Sequence, residues 1–223
     1  GPASENEEVL SQMFAAGMNV ARLNFSHGSH EEHRKKVELI KRVREKMNLP
    51  IAIMLDTKGP EYRIRTFKDG KVTVKEGDTF TFVADETKVS VNYKQLAKDL
   101  SVGDRVTVNN GMVVFEVTAI SGDDVVCKVI TGGALSNKKS MSFPNKVMSG
   151  PYLSEQDKAD LLFGIEQDVD FVAASFVSTA QDAQDIRDFL DANGGEDIEI
   201  VAKIENRAGV DNVEEICKIC GGI

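Results

Sequence analysis

The hydrophobic period changes twice along this 223-residue chain, and each change marks a different kind of structure. Up to about residue 62, apolar residues recur at helical spacing between short, nearly continuous apolar runs. From about Arg63 the period drops to two, and at Pro151 the helical spacing returns. Neither a helical bundle nor a single sheet fits that sequence of periods. It predicts a helix–strand alternation interrupted by an all-β stretch.

The first stretch opens with Ser4 and Glu7 spaced as a capping box. Val9, Leu10, Met13 and Phe14 follow as a helical apolar face, and Gly17 can close the helix. Val20 to Phe25 reads as a strand. Ser29 with Glu32 caps a second helix carrying Val37, Ile40, Val43 and Met47, which Pro50 ends. The run Ile51-Ala-Ile-Met-Leu55 predicts a strand buried on both faces, as in parallel sheets. In the middle stretch Val72, Val74, Thr79–Phe82, Val89, Val91, Val106, Val108, Val113–Val117 and Val125–Val129 read as short strands. Asn110-Gly111 marks a hairpin, and the whole reads as a small closed barrel. After Pro151, Ser154 with Asp157 and Thr179 with Asp182 cap two helices that alternate with the strands Phe171–Ala174 and Ile198–Ala202. Val210 to Ile219 reads as a further helix, and Gly221-Gly222-Ile223 as the start of another strand.

The expected fold class is therefore α/β: a partial (β/α)8 TIM barrel made of residues 1–62 and 149–223, with a small all-β barrel inserted at 63–148. The two α/β stretches hold 137 residues against the ~250 of a closed eightfold barrel, so both termini read as cut inside a larger fold. Charge follows the same division. Residues 63–148 carry 13 basic and 10 acidic side chains, and residues 149–223 carry 5 and 17. A basic lid over an anionic ligand and ordinary surface variation both account for these counts. The net charge of −9 disfavours nucleic-acid binding. No apolar run approaches a membrane span, and the first residues lack the basic and apolar regions of a signal peptide. Three cysteines, Cys127, Cys217 and Cys220, predict no disulfide framework and a cytoplasmic location.

In α/β barrels, chemistry is built at the carboxyl ends of the strands. Here those ends read Arg22-Leu-Asn-Phe-Ser-His-Gly28, Asp56-Thr-Lys-Gly-Pro-Glu61, Ser175-Phe176 and Lys203-Ile-Glu-Asn-Arg207. Alternation puts Arg22, Asn24 and Ser26 on one face, and Lys203 with Glu205 on another. Charges buried at strand ends are costly unless paired or ligated, so these ends mark either an ion-pair ring or a site. Arg22 with Arg63 suits a phosphate clamp. Glu205 is a hard-cation ligand suited to Mg²⁺. Asp56, Asn24, Ser26 and the Thr57 carbonyl make an all-oxygen set for a second, larger cation. Lys203 suits a developing enolate or phosphoryl charge.

The motifs Ala21-Arg-Leu-Asn-Phe-Ser-His-Gly28, Leu55-Asp-Thr-Lys-Gly-Pro-Glu61 and Val201-Ala-Lys-Ile-Glu-Asn206 together resemble the pyruvate kinase family, in order and over the whole chain. The resemblance implies phosphoryl transfer from phosphoenolpyruvate to ADP in glycolysis, giving pyruvate and ATP, with Mg²⁺ (or Mn²⁺) and K⁺. It implies that Arg22 contacts phosphate, that Asn24, Ser26, Asp56 and Thr57 bind K⁺, and that Glu205 binds Mg²⁺. Lys203 would stabilise the transferring group, while His27, Arg63 and Lys138 lie toward the nucleotide phosphates. Glu61 accompanies monovalent-cation dependence, and the parent protein is expected to be a homotetramer. The family's second Mg²⁺-binding aspartate falls beyond Ile223, so the 223 residues alone are expected to be inactive. Asn109-Asn110-Gly111, Tyr62 and Ala208 depart from the family's usual residues without touching the transferring phosphate. Two other readings stay open: a phosphoenolpyruvate/pyruvate aldolase or lyase relative, and a non-catalytic ligand-binding fragment. Cys217 and Cys220 read as idle thiols, and His30 with His33 as part of a solvated basic face.

Overall fold

A computed structural model describes residues 1–83, 90–144 and 146–223. A 3-10 turn at Pro2–Ser4 precedes α1 (Glu7–Ala15), β1 (Val20–Asn24), α2 (His30–Met47) and β2 (Ala52–Asp56). There follow β3 (Tyr62–Arg63), β4 (Lys71–Val74), β5 (Thr79–Phe82), α3 (Leu96–Asp99), β6 (Arg105–Val108), β7 (Val113–Ser121), β8 (Asp124–Thr131), β9 (Gly133–Ser136) and β10 (Ser140–Ser142). The chain continues with α4 (Glu155–Glu166), β11 (Phe171–Ala174), α5 (Ala180–Asp191), β12 (Glu199–Ala202), α6 (Arg207–Asp211) and α7 (Val213–Ile216). Two compact units result. The first comprises Gly1–Pro60, Tyr152–Glu205 and Gly209–Ile223, and the second Glu61–Pro151 with Asn206–Ala208.

The first unit is mixed α/β. Its sheet runs β1-β2-β11-β12, every pair parallel. Leu23, Leu55, Val172, Ala174, Ile200 and Ala202 turn to one face and join Val37, Ile40, Val43, Leu161, Ile186 and Leu190 in one core. Full burial of each large aliphatic side chain contributes roughly 1.5–3 kcal/mol. Helix α4 approaches so closely that a Cβ on Gly164 would stand 2.9 Å from Leu55 Cδ1. The predicted capping boxes form at Ser29/Glu32, Ser154/Asp157 and Thr179/Asp182. At the end of α1, Gly17 takes φ +100° while its N–H reaches Phe14 O and that of Met18 reaches Met13 O, the paired bonds of a Schellman cap. Gly222 bridges Val201 in parallel, extending the sheet beyond β12.

Two local expectations fail here. Ser4 does not cap α1, because residues 2–4 close their own 3-10 turn and Asn6 supplies the cap, accepting from Val9 N at 2.8 Å. The helix expected over Val210–Ile219 is instead two short ones, broken where Asn212 leaves helical geometry.

The second unit holds an antiparallel sheet ordered β3-β10-β6-β7-β8-β5 and a ribbon of β4 with β9. No ladder joins β3 directly to β5 among the described residues, but Ile64 bridges Val91 and Val83 bridges Ser90, so the two edges of the sheet are linked through residues 90–91. The short helix α3 also interrupts the expected all-β pattern, burying Leu96. Val91 bridges Ile64, whereas Val89 lies outside the described residues. Asn110-Gly111 does connect a hairpin, β6 to β7, with Asn109, Asn110 and Gly111 all at positive φ. Phe82 and Phe115 meet edge to face at 5.2 Å in a core otherwise built mainly of valine.

Candidate active site

Parallel pairing places residues of equal height on the same face. The register aligns Asn24 with Asp56, Asp56 with Ala173, and Ala173 with Val201. Arg22, Asn24 and Asp56 therefore share the face that continues, at the carboxyl ends of β11 and β12, to Ser175 and Lys203. The apolar residues in between point the other way, into the core.

Asp56 is the hub of this face. Its side chain is 2% exposed; Arg22 Nε and Nη2 stand 2.7 and 2.5 Å from Oδ2, and Lys203 Nζ stands 2.8 Å from Oδ1. Two cations share this one carboxylate, and Arg22, 59% exposed, presents its guanidinium to solvent. Glu205 lies 3.9 Å from Lys203 Nζ, and its other oxygen accepts from Phe176 N at 2.9 Å. That amide is aimed by an unusual backbone: Phe176 sits at φ +59°.

Beneath Asp56, the Thr57 peptide is gripped from several sides. Ser175 Oγ donates to Thr57 O at 2.5 Å, and Ser175 N donates to Thr57 Oγ1 at 3.1 Å. Tyr152 OH donates to Ser175 O at 2.6 Å, and Asp157 accepts from Gly59 N at 3.0 Å. Burial pushes the Tyr152 phenol well above its usual pKa, so it stays a donor. The sequence names Ser175 only as a polar strand end and gives no task to Tyr152. Asp157 is visible only as a helix-capping residue.

Ser26 and His27 are exposed on the turn after β1, where Asn24 Oδ1 accepts from Ser26 N at 2.9 Å. The predicted solvated histidine face is not found. His30 Nε2 meets the buried Asp160 at 2.6 Å and stacks on Phe163, while His33, 3% exposed, stacks on Phe25. The missed signal is spacing: His33, Val37 and Ile40 share the buried stripe of α2. Arg63 and Lys138 belong to the second unit. There Arg63 pairs with Glu61 and donates through Nη1 to Lys138 O at 2.5 Å.

The donor chemistry fits the expected cations. Among the described residues no three His, Cys, Asp or Glu side chains converge as a metal cage. A lone, partly exposed Glu205 suits Mg²⁺, which completes its shell with water and substrate oxygens. Asn24, Ser26, Asp56 and the Thr57 carbonyl offer only hard oxygens, the set a monovalent cation takes. Cys217 is exposed and Cys220 half-buried, with burial raising the Cys220 thiol to about 11. No helix among the described residues is long and apolar enough to cross a membrane.

The family model for the pyruvate kinase barrel domain matches residues 1–223. The chain belongs to the pyruvate kinase family. It is 44% identical over 229 residues to the pyruvate kinase of Clostridium perfringens, covering 100% of this chain and 48% of that protein. Against the pyruvate kinase of Geobacillus stearothermophilus it is 43% identical over 230 residues, covering 100% of this chain and 39% of that protein. The chain thus spans less than half the length of these curated relatives. Family membership agrees with the motifs that carry Arg22, Asp56, Lys203 and Glu205.

Proposed function

We propose that the full-length protein is a pyruvate kinase that moves the phosphoryl group of phosphoenolpyruvate to ADP, giving pyruvate and ATP. We further propose that residues 1–62 and 149–223 are part of a (β/α)8 barrel with a small β-barrel at 63–148. The observation that carries the reading is Asp56, a buried carboxylate shared by Arg22 and Lys203 with Glu205 beside them. In-line phosphoryl transfer asks a protein mainly for positioning and for charge to offset two mutually repelling anions. Arg22 supplies an exposed guanidinium for phosphate oxygens. Lys203, oriented by Asp56, holds an ammonium where negative charge develops. Mg²⁺ or Mn²⁺ on Glu205, and K⁺ on Asn24, Ser26, Asp56 and the Thr57 carbonyl, would supply further charge neutralisation. His27, Arg63 and Lys138 are assigned to nucleotide phosphate oxygens. A glycolytic enzyme of the cytoplasm, forming homotetramers, is the setting that follows.

The test is pyruvate formation in a coupled assay of the full-length protein. Lys203→Ala is expected to lower kcat by ~10²–10³, the range for losing one preorganised charge-stabilising donor. A loss below tenfold would remove Lys203 from the mechanism. Since the matched relatives are more than twice as long, a folded polypeptide of these 223 residues is expected to give no detectable pyruvate. Turnover by a sample of verified 24.4 kDa mass would overturn that part.

A further inference from the structure

We propose that His33 is a positioning residue for the nucleotide subsite, acting through the peptide of His27; the inference rests on the assignment of His27 to nucleotide phosphates. His33 Nε2 lies 2.8 Å from His27 O. A carbonyl oxygen can only accept, so Nε2 carries the proton and Nδ1 is a bare acceptor, buried and without a partner among the described residues. The ring is fixed on its other side by Phe25, face to face at 4.0 Å and 11°. Phe25 itself is buried between the exposed Asn24 and Ser26. One imidazole thus locks the last buried residue of the strand end and a carbonyl of the turn that follows it.

The turn needs that lock. Gly28 takes φ +87°, and a Cβ there would stand 3.2 Å from His33 Nε2, so the imidazole and the turn backbone are packed together. The next residue, Ser29, is held by Glu32, whose Oε2 accepts from Ser29 N at 2.7 Å. Helix α2 is in turn tied to α4 by His30 on Asp160 and by Arg34 on Glu166. His27 therefore projects from a segment pinned at its carbonyl by His33 and just beyond by the helix cap. A core residue of equal size would fill the space but leave the His27 carbonyl without its donor.

Two substitutions separate a positioning role from packing. His33→Phe keeps the stack on Phe25 and loses the donor, whereas His33→Gln loses the stack and keeps an N–H that can reach the same carbonyl. In the full-length protein, His33→Phe is expected to raise KM for ADP at least fivefold while KM for phosphoenolpyruvate stays within twofold. His33→Gln is expected to lower the melting temperature yet hold KM for ADP within twofold. His27→Ala should raise KM for ADP, and adding His33→Phe to it should change KM for ADP no further. Should His33→Phe fail to fold by circular dichroism, His33→Asn, too short to reach the carbonyl, takes its place. The inference is overturned if the donorless variant keeps its KM for ADP, if His33→Gln loses as much as His33→Phe, or if the double variant is additive. A silent His27→Ala would instead defeat the nucleotide assignment of His27, and the inference with it.

Discussion

Among the described residues the first unit buries Asp56, Thr57, Asp157, Asp160 and Ser175, whereas in the second unit Ser90 is the buried polar residue. The parallel sheet ends in an ion-paired carboxylate and a grid of side-chain hydrogen bonds. The antiparallel sheet fills its interior with Val106, Val108, Phe115, Val125 and Val129, and its pairs Arg63–Glu61 and Lys146–Asp104 stay partly exposed. Burying a polar group costs roughly 1–3 kcal/mol when it is not satisfied. A sheet that gathers Asp56, Thr57 and Ser175 at one end and pairs them with Arg22, Lys203 and one another is organised for charge chemistry there, while a valine-rich interior is organised for packing.

That contrast can be broken by core truncation first. Phe115→Ala, fully buried among Phe80 and Phe82, is expected to cost about 3–5 kcal/mol. Hydrogen exchange read by mass spectrometry should lose protection in peptides of 61–151 and keep it in β1, β2, β11 and β12. Loss spread evenly over both would mean that the units do not melt independently.

Glycine replacement sharpens the contrast at smaller scale. Gly59, at φ +66°, would place a Cβ 2.7 Å from the Ser175 carbonyl, whereas Gly111, at φ +82°, has nothing within 4 Å. Gly59→Ala should therefore cost about 2–3 kcal/mol and Gly111→Ala only the left-handed penalty of about 1 kcal/mol. Urea midpoints of the two variants would measure the gap. Equal midpoints would show that the Thr57–Ser175 grid yields without resistance.

The smallest effect expected is in pH. Desolvation is the main reason that His33 titrates below the usual histidine value, with Lys36 and His30 adding to it while the His27 carbonyl and Asp160 oppose it. The unfolded chain then takes up a proton near 6.5 that the folded chain refuses until lower pH. Stability from this group is complete above the unfolded value and is lost as pH falls toward the folded one. The urea midpoint of His33→Gln relative to the parent should close as pH drops from 7.5 to 5.5. A constant difference would show that His33 has the same affinity for protons in both states.

The three capping boxes at Ser29, Ser154 and Thr179 were legible because each is a local pattern of four residues. The fourth, at Ser4, failed because Ser4 is already taken up by the 3-10 turn that begins at Pro2, which leaves Asn6 to cap the helix. Arg22, Asp56, Lys203 and Glu205 were readable as a charged set from their places at strand ends. That both cations converge on Asp56 was not, since it depends on which strands pair and in what register. Ser175 is legible only as a polar strand end and Tyr152 not at all, because their contribution runs through backbone carbonyls, which leave no trace in residue type. His33 was misread for the opposite reason: its polarity suggested solvent, although its spacing matched the buried face of α2.

Phe176 has a consequence for anyone who would make this protein sturdier. An aromatic residue held in a left-handed conformation is an obvious candidate for replacement by glycine, which occupies that region freely. The same torsion, however, aims the amide that grips Glu205. A looser backbone at this corner would let the carboxylate wander, so a variant chosen for heat resistance could forfeit the fixed placement of the one acid assigned to hold the divalent ion.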